Sequence, residues 1–287
     1  MKWLDPDAFD WGESPPLSSF KAVTVASLTY TIGVILCTYF SRILRPVQNK
    51  KKDDDAPQKN SMTGIQWRPW FNSDLKNAQF MHNVVLVVSS AIMFLGVVYE
   101  SWRRIKMEGG LSWPSFLLCE EASEGNAQGA LYYWSYIYYL SKYYEFLDTI
   151  LQLARGKPPP HFALHVYHHA LVLFMAWAWC NTMQSLQFIG LAFNTAVHVV
   201  MYSYFLQRTI TGKVPAWKSF VTLFQIIQFA CSMLATCMTL FAVYIQGYEC
   251  AGMKALFGNV LFNLTLLQSF IGVFKSGKKK KPNMVSV

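Results

Sequence analysis

The stretch HFALHVYHH, residues 161–169, holds four of the six histidines of a 287-residue chain. On a helix that turns by about 100° per residue, His165, His168 and His169 lie within about 100° of arc, and His161 joins the same face one turn earlier. The stretch opens an apolar run, and an ionisable side chain inside a membrane costs at least about 2.5 kcal/mol unless it faces a cavity or a partner. Four histidines on one face therefore predict a functional site within the membrane.

The composition is that of an integral membrane protein. Hydrophobic residues make up 53% of the chain and charged residues only 14%, which is too apolar for a soluble domain of this length. The excess of Lys and Arg is spread over the loops, and it indicates membrane lipid and anionic substrates as partners rather than nucleic acid. The six cysteines show neither CxxC spacing nor the density of a disulfide scaffold, so no structural metal site is expected.

Apolar runs of about 20 residues, the length that crosses a bilayer, predict an all-α fold with seven transmembrane helices. The acidic residues before the first run lack the basic start and short apolar core of a cleavable signal, so we expect them to be retained. The predicted spans are 20–43, 79–101, 131–154, 161–182, 184–207, 217–245 and 252–274.

Positive charge is divided unequally between the two sides of this arrangement. If the C-terminus is cytosolic, 18 of the 25 Lys and Arg residues lie in cytosolic segments, and Lys142 is the one cation placed deep inside a span. The positive-inside rule then puts the N-terminus in the lumen. The chain divides into a lumenal segment (1–19), a membrane domain (20–274) and a basic cytosolic tail (275–287).

Four consecutive spans place polar side chains within about four turns of their cytosolic ends. Independent structural accidents would have no reason to share one depth, so we expect a single site. The charges on the third span can also compensate one another, and the glutamines on the sixth can hydrogen-bond between helices. Besides the histidines of the fourth span, the polar residues are Lys142, Glu145 and Asp148, then Asn194, His198 and Tyr202, then Thr222, Gln225 and Gln228.

Clustered histidines suit redox-metal ligation, acid-base catalysis or nucleophilic attack by an imidazole. HxxHH is also part of the diiron ligand set of membrane desaturases and hydroxylases, but those enzymes need further histidine boxes. The chain has six histidines in total, and His82, near the cytosolic start of the second span, is expected to stand alone. Seven spans also suit a receptor or a transporter, with the polar cluster as a ligand or proton site.

Four short motifs in these spans resemble the signature boxes of the fatty acid elongases. They are LSKYYEFLDT (140–149), HVYHH (165–169), NTAVHVVMYSYF (194–205) and TLFQIIQ (222–228). They resemble the family's KxxExxDT, HxxHH, NxxxHxxMYxYY and TxxQxxQ boxes, in the family order and spacing, and the resemblance covers about residues 75–275. Phe205 replaces the last tyrosine of the third box, which puts one hydroxyl in doubt.

The resemblance implies a 3-ketoacyl-CoA synthase of the endoplasmic reticulum membrane. Such an enzyme condenses an acyl-CoA with malonyl-CoA, releases carbon dioxide and lengthens the chain by two carbons. The sequence does not define the length or unsaturation of the acyl chain, and polyunsaturated acyl-CoA is one candidate substrate. Six helices are expected to form an inverted barrel around an acyl tunnel, with the first helix outside it. The substrates are acyl-CoA and malonyl-CoA, no further cofactor is expected, and the expected partners are the reductases and dehydratase of the elongation cycle and a second copy of the chain.

No cysteine lies in the four motifs, so a histidine must take the acyl group. By resemblance His168 is the nucleophile, His198 assists malonyl activation or stabilises an oxyanion, and His165 and His169 are orienting or acid-base groups. His161 precedes the motif and is expected at the mouth of the site. Supporting or substrate-binding roles fall to Lys142, Glu145, Asp148, Asn194, Tyr202, Gln225, Gln228, Arg155 and Lys157.

The basic groups Arg155, Lys157, Arg208, Lys213 and Lys218 are expected at the cytosolic mouth, where the phosphates of CoA would arrive, although they also suit a plain topological role. On the opposite side, Cys119 follows the second span and Cys250 follows the sixth. Oxidising conditions in the lumen permit a disulfide there, and the pairing resembles one in the family.

Overall fold

The computed structural model describes residues 2–43, 75–122, 125–155, 159 and 161–279. Within these ranges the chain is almost entirely helical, with two isolated backbone bridges as the only β-structure. Two short 3₁₀ helices precede seven long α-helices. The long helices are α1 (Phe20–Ile43), α2 (Lys76–Met107), α3 (Ala130–Ala154), α4 (Phe162–Asn181), α5 (Gln187–Thr211), α6 (Lys218–Tyr244) and α7 (Met253–Lys279).

The prediction of seven long helices is confirmed, and most of their ends lie within a few residues of the predicted ones. α2 extends furthest beyond its predicted span, from Lys76 to Met107. Its last turns carry Arg103 and Arg104, which end the apolar run without ending the helix. Most of the predicted basic tail, residues 280–287, and the loop at 44–74 lie outside the described residues.

Six of the helices in the described ranges are long and apolar enough to cross a membrane, and α3 is the exception. The predicted span 131–154 is thus present as a long helix but is less apolar than the other six. α3 is 25 residues long, but Lys142, Glu145 and Asp148 interrupt its apolar sequence. Their side chains are covered by protein, since Lys142 and Glu145 are each 1% exposed and Asp148 is 5% exposed. The same helix exposes apolar side chains on another face, namely Tyr144, Leu147 and Ile150.

The helices pack side by side in a closed order. α2 contacts α3, α3 contacts α4, α4 contacts α7, α7 contacts α6, α6 contacts α5, and α5 returns to α2. This order differs from the order along the chain, because α7 lies between α4 and α6. It brings α3, α4 and α5, which carry three of the motifs, into reach of one another; α3 also contacts α5 directly.

α1 packs against α4, where Ser27 Oγ donates a hydrogen bond to the carbonyl oxygen of Ala170 (3.0 Å). The opposite face of α1 is an exposed apolar stripe with the spacing of one helix face. Each of its residues is more than half exposed, as expected for contact with lipid. The stripe consists of Val25, Leu28, Ile32 and Ile35.

The segments at one end of the bundle are tied to one another. The backbone N–H of Trp11 donates to the carbonyl oxygen of Ala127 (3.0 Å), which joins the N-terminal segment to the loop before α3. A disulfide between Cys119 and Cys250 joins the loop after α2 to the loop after α6, as the family resemblance implies, with Cα atoms 4.9 Å apart. This distance is within the usual range for a disulfide. These links hold the neighbouring ends of α2, α3, α6 and α7 close together.

Candidate active site

Lys142 and Glu145 form an ion pair in the interior of the bundle. One turn of α3 separates them, and Lys142 Nζ lies 2.6 Å from Glu145 Oε1. Lys142 also lies over the ring of Tyr138, 4.0 Å from its centroid. The ammonium therefore has a carboxylate and an aromatic face as partners, which offsets part of the cost of its burial.

Glu145 and Asn194 extend this pair to α5. His198 Nδ1 lies 3.5 Å from Glu145 Oε1. Asn194 Oδ1 accepts a hydrogen bond from the hydroxyl of Tyr138 (2.8 Å) and a long one from Lys142 Nζ (3.5 Å). The second carboxylate oxygen of Glu145 is buried and has no hydrogen-bond partner among the described residues. A buried acceptor of this kind is available to a donor on a substrate or a water molecule.

Asp148 connects α3 with α2 and α5. Its Oδ1 lies 2.9 Å from His82 Nε2, and its Oδ2 accepts a hydrogen bond from the hydroxyl of Tyr202 (2.7 Å). Tyr202 in turn packs edge-on against the ring of His198, with centroids 5.3 Å apart. The expectation that His82 stands alone is therefore wrong, because it is bonded to a residue of the first motif.

Thr149, the next residue on α3, faces α4 and α1. Its hydroxyl lies 2.9 Å from His165 Nε2 and 2.8 Å from the hydroxyl of Tyr30. The ring of His165 contacts that of His169, with centroids 4.3 Å apart. Thr149 thus fixes one histidine of the HxxHH motif, and that histidine packs on the next.

His168 lies between the polar cluster and a cavity. Its ring stacks on Phe262 of α7, with centroids 5.9 Å apart and planes inclined by 14°, and meets His169 edge-on at 5.4 Å. Its Nδ1 is buried without a hydrogen-bond partner among the described residues, so no contact with another side chain fixes the tautomer of the ring.

The cavity is bounded by α3 to α7. His168, Asn194 and Gln228 line it at one end. Trp179, which also lines it, lies eleven residues after His168 on α4, or about 16 Å along the helix axis. The far end is lined by side chains that pack with Leu118, the neighbour of Cys119, in one apolar cluster. They are Leu186, Ala235 and Leu256.

The remaining predicted residues lie closer to the edge of the site. Gln225 Nε2 contacts Met201 Sδ at 3.6 Å, which is a helix-to-helix contact between α6 and α5. Arg155 directly follows α3 and is half-buried, while Lys157 lies outside the described residues. His161 precedes α4 and is exposed, in keeping with a place at the mouth. Exposed basic residues at the adjoining ends of α5 and α6 are Arg208, Lys213 and Lys218.

Within the described ranges, no group of three histidine, cysteine, aspartate or glutamate side chains is arranged to hold a metal ion. The histidines instead contact aromatic rings, a threonine and carboxylates. Phe205, the departure in the third motif, packs against Tyr202 with centroids 6.2 Å apart. The missing hydroxyl is thus replaced by an apolar contact beside the site.

Sequence reasoning missed four residues that shape the site. His82 was given no partner, although it lies at the same depth from the cytosolic end as the other polar residues. Tyr30 lies on the helix expected outside the barrel. Tyr138 belongs to an aromatic run that resembles an interfacial belt, and Phe262 carries no polar atom. Of the four, only His82 could have been found from the sequence, because its distance from the cytosolic end of its helix matches that of the other polar residues.

The fold and the site define a helical membrane protein whose interior holds a histidine and carboxylate cluster beside an elongated cavity. A profile of the GNS1/SUR4 family matches residues 15–284, nearly the whole chain. The chain belongs to this family, the fatty acid elongases, as the four motifs indicate.

Individual relatives agree with this assignment. A Dictyostelium discoideum protein described as a candidate fatty acid elongase is 38% identical over 213 residues, which are 74% of this chain and 69% of the relative. Fatty acid elongase A of the same organism is 32% identical over 212 residues, 70% of this chain and 74% of the relative. Very long chain fatty acid elongase 2 of Mus musculus is 32% identical over 219 residues, 72% of this chain and 68% of the relative.

Proposed function

We propose that the chain is the condensing enzyme of fatty acid elongation, a 3-ketoacyl-CoA synthase. It joins an acyl-CoA to malonyl-CoA and gives a 3-ketoacyl-CoA, CoA and carbon dioxide. The observation that carries the proposal is the place of His168, which belongs both to the histidine cluster and to the wall of the cavity. A nucleophile at that boundary meets a thioester whose acyl chain fills the apolar cavity.

In the first step, His168 Nε2 attacks the thioester carbonyl carbon. The carbon–sulfur bond breaks, CoA leaves as a thiolate that takes up a proton, and the acyl group stays on the imidazole. His169 holds the ring of His168 in place through its edge-on contact, and His165 in turn packs against His169. Splitting one condensation into two transfers lowers the barrier of each.

In the second step, malonyl-CoA loses carbon dioxide and its C2 carbon attacks the acyl carbon on His168. The acyl–nitrogen bond breaks, which frees the histidine and releases the 3-ketoacyl-CoA. His198 faces Glu145 through Nδ1, so its Nε2 is available to donate to or accept from the reacting oxygen. Lys142 and Asn194 supply donors beside the place where enolate charge develops.

We further propose that the closed ring of α2 to α7 is the inverted barrel and that its cavity is the acyl tunnel, with α1 outside. The tunnel opens to the cytosol, where Arg155, Lys157, Arg208, Lys213 and Lys218 meet the phosphates of CoA. The end near the disulfide then faces the lumen of the endoplasmic reticulum, with the N-terminus lumenal and the C-terminus cytosolic. We also propose that the reductases and dehydratase of the cycle take up the product at the cytosolic face. Two copies of the chain are proposed to form a homodimer.

The test is decarboxylation coupled to chain extension in the purified protein. Malonyl-CoA labelled in its free carboxyl should release labelled carbon dioxide only when an acyl-CoA is present, with formation of a 3-ketoacyl-CoA two carbons longer. His168→Ala should abolish both, and His161→Ala, an exposed histidine of the same stretch, should keep both. A receptor or transporter would consume neither CoA ester. Expression in yeast fed saturated and polyunsaturated fatty acids then tests the acyl chains accepted.

A further inference from the structure

His82 is a buried histidine on α2 that lies outside the four motifs. It is 4% exposed, and its Nε2 lies 2.9 Å from Asp148 Oδ1. Its other nitrogen, Nδ1, is buried without a hydrogen-bond partner among the described residues. All of its polar interaction is thus directed at one carboxylate.

The direction of these bonds follows from chemistry. A carboxylate has only acceptor oxygens, so the proton of the His82 ring lies on Nε2 and points at Asp148. The hydroxyl of Tyr202 donates to the other oxygen of the same carboxylate (2.7 Å). Asp148 is therefore held from two sides, by α2 and by α5, and its orientation depends on both donors.

The second donor leads to the proposed malonyl site. Tyr202 is 1% exposed, and its ring packs edge-on against His198, with centroids 5.3 Å apart and planes inclined by 86°. His198 also faces Glu145. A continuous line of buried contacts thus runs from His82 through Asp148 and Tyr202 to His198. It crosses α2, α3 and α5 and reaches His198 without passing through His168 on α4.

We propose that His82 is a positioning residue for the second half of the reaction. It fixes Asp148, which holds the hydroxyl of Tyr202 and so sets the ring of His198 for the malonyl-dependent step. The inference rests on the proposed function, because it needs His198 to act in that step. Since His168 is held by Phe262 and His169 instead, transfer of the acyl group from CoA to His168 is independent of His82.

A plain packing role would give a different result, and the neighbouring residue provides the matched control. Asn83 is 1% exposed, and its Nδ2 donates to Thr209 Oγ1 of α5 (3.2 Å). Asn83→Leu removes this bond between α2 and α5, and also the bond that Asn83 Oδ1 accepts from Gln79 Nε2 (3.3 Å), one position away from His82 and without touching Asp148. Loss of packing alone would affect His82→Leu and Asn83→Leu alike.

The experiment measures the two half-reactions of the full-length protein separately. CoA release from an acyl-CoA without malonyl-CoA reports transfer to His168, and consumption of malonyl-CoA by the acylated protein reports the second step. His82→Leu should slow the second step about tenfold, which corresponds to the loss of about one buried hydrogen bond, with CoA release within about twofold of wild type. Asn83→Leu should leave the ratio of the two rates unchanged.

Two further variants keep the test decisive. In His82→Gln the side-chain amide reaches as far as Nε2 of histidine and should restore most of the second step. If His82→Leu does not fold, His82→Asn, whose amide is too short to reach Asp148, should show the same selective loss. Equal slowing of both half-reactions, an equal selective loss in Asn83→Leu, or no loss at all would overturn the inference. A wild-type protein that carries out neither half-reaction would instead contradict the proposed function.

Discussion

Asp148 and Thr149 are neighbours on α3 whose side chains bond to histidines on two different helices. Asp148 Oδ1 lies 2.9 Å from His82 Nε2 on α2, and Thr149 Oγ1 lies 2.9 Å from His165 Nε2 on α4. Successive residues of a helix point about 100° apart, so two adjacent positions can serve different neighbours. α3 thereby connects the His198 side of the site with the His168 side.

The buried pair of Lys142 and Glu145 should respond very differently to single and double substitution. Lys142→Met leaves a buried carboxylate without its cation and should lower the free energy of unfolding by about 3–5 kcal/mol. Combining it with Glu145→Leu should restore part of that loss, because no unpaired charge remains. Thermal unfolding in detergent measures both.

A surface lysine provides the control for that measurement. Lys106 is exposed and lies over the ring of Trp102, so Lys106→Met should cost at most about 1 kcal/mol. If the free energy of unfolding lost by the double variant equalled the sum of the losses of the two single variants, Lys142 and Glu145 would not be coupled as a buried ion pair.

Tyr30 should be coupled energetically to Thr149. Tyr30→Phe removes a hydroxyl that lies 2.8 Å from Thr149 Oγ1 and keeps the ring stacked on Phe146 at 4.2 Å. The expected loss is about 0.5–1.5 kcal/mol. In a double-mutant cycle, adding Tyr30→Phe to Thr149→Val should cost almost nothing further. Additive losses would show that α1 and the motif on α3 are independent.

The sequence was enough to place the helices and to group their polar residues. Hydropathy is a local property, so the apolar runs located seven helices, and charge counts along them gave a common depth for the polar side chains. Depth does not give the lateral position of a helix, however. The contacts of His82, Tyr30 and Phe262 depend on α7 inserting between α4 and α6 and on α1 packing against α4, and neither neighbourhood is encoded by hydropathy.

The disulfide should stabilise the end of the bundle opposite the proposed mouth. Cys119→Ala, Cys250→Ala and the double variant should each lose the same free energy, about 2–4 kcal/mol, because all three remove one bond. Dithiothreitol should lower the melting temperature of the wild type and leave that of the double variant unchanged. Cys237 is free and exposed, so Cys237→Ala serves as the control. If the double variant lost as much free energy of unfolding as the two single variants together, the two cysteines would not be joined in one disulfide.

Gly96 should be required for the packing of α2 on α3. A Cβ there would overlap the indole ring of Trp134, whereas a Cβ on Gly33 of α1 would meet nothing within 4 Å. Gly96→Ala should therefore cost about 1–3 kcal/mol, and Gly33→Ala should be neutral or gain up to about 1 kcal/mol. Thermal unfolding of the two variants side by side checks this, and equal effects would count against the close contact.

α3 illustrates where sequence reasoning reached its limit. Its length and aromatic content predict a membrane span, but its centre carries the charged residues Lys142 and Glu145. The helix can hold these charges because the neighbouring helices cover both side chains. Tyr138 looked like part of an interfacial belt and instead lies 2% exposed beneath Lys142. A local composition does not distinguish a side chain covered by lipid headgroups from one covered by a neighbouring helix.

The most direct test of the account is mass spectrometry of the purified protein after incubation with an acyl-CoA and no malonyl-CoA. The account predicts an acyl group on the peptide that contains His168, absent from His168→Ala, and discharged as 3-ketoacyl-CoA when malonyl-CoA is added. An enzyme that makes 3-ketoacyl-CoA while His168 is replaced, or whose acyl group lies on another residue, would contradict it.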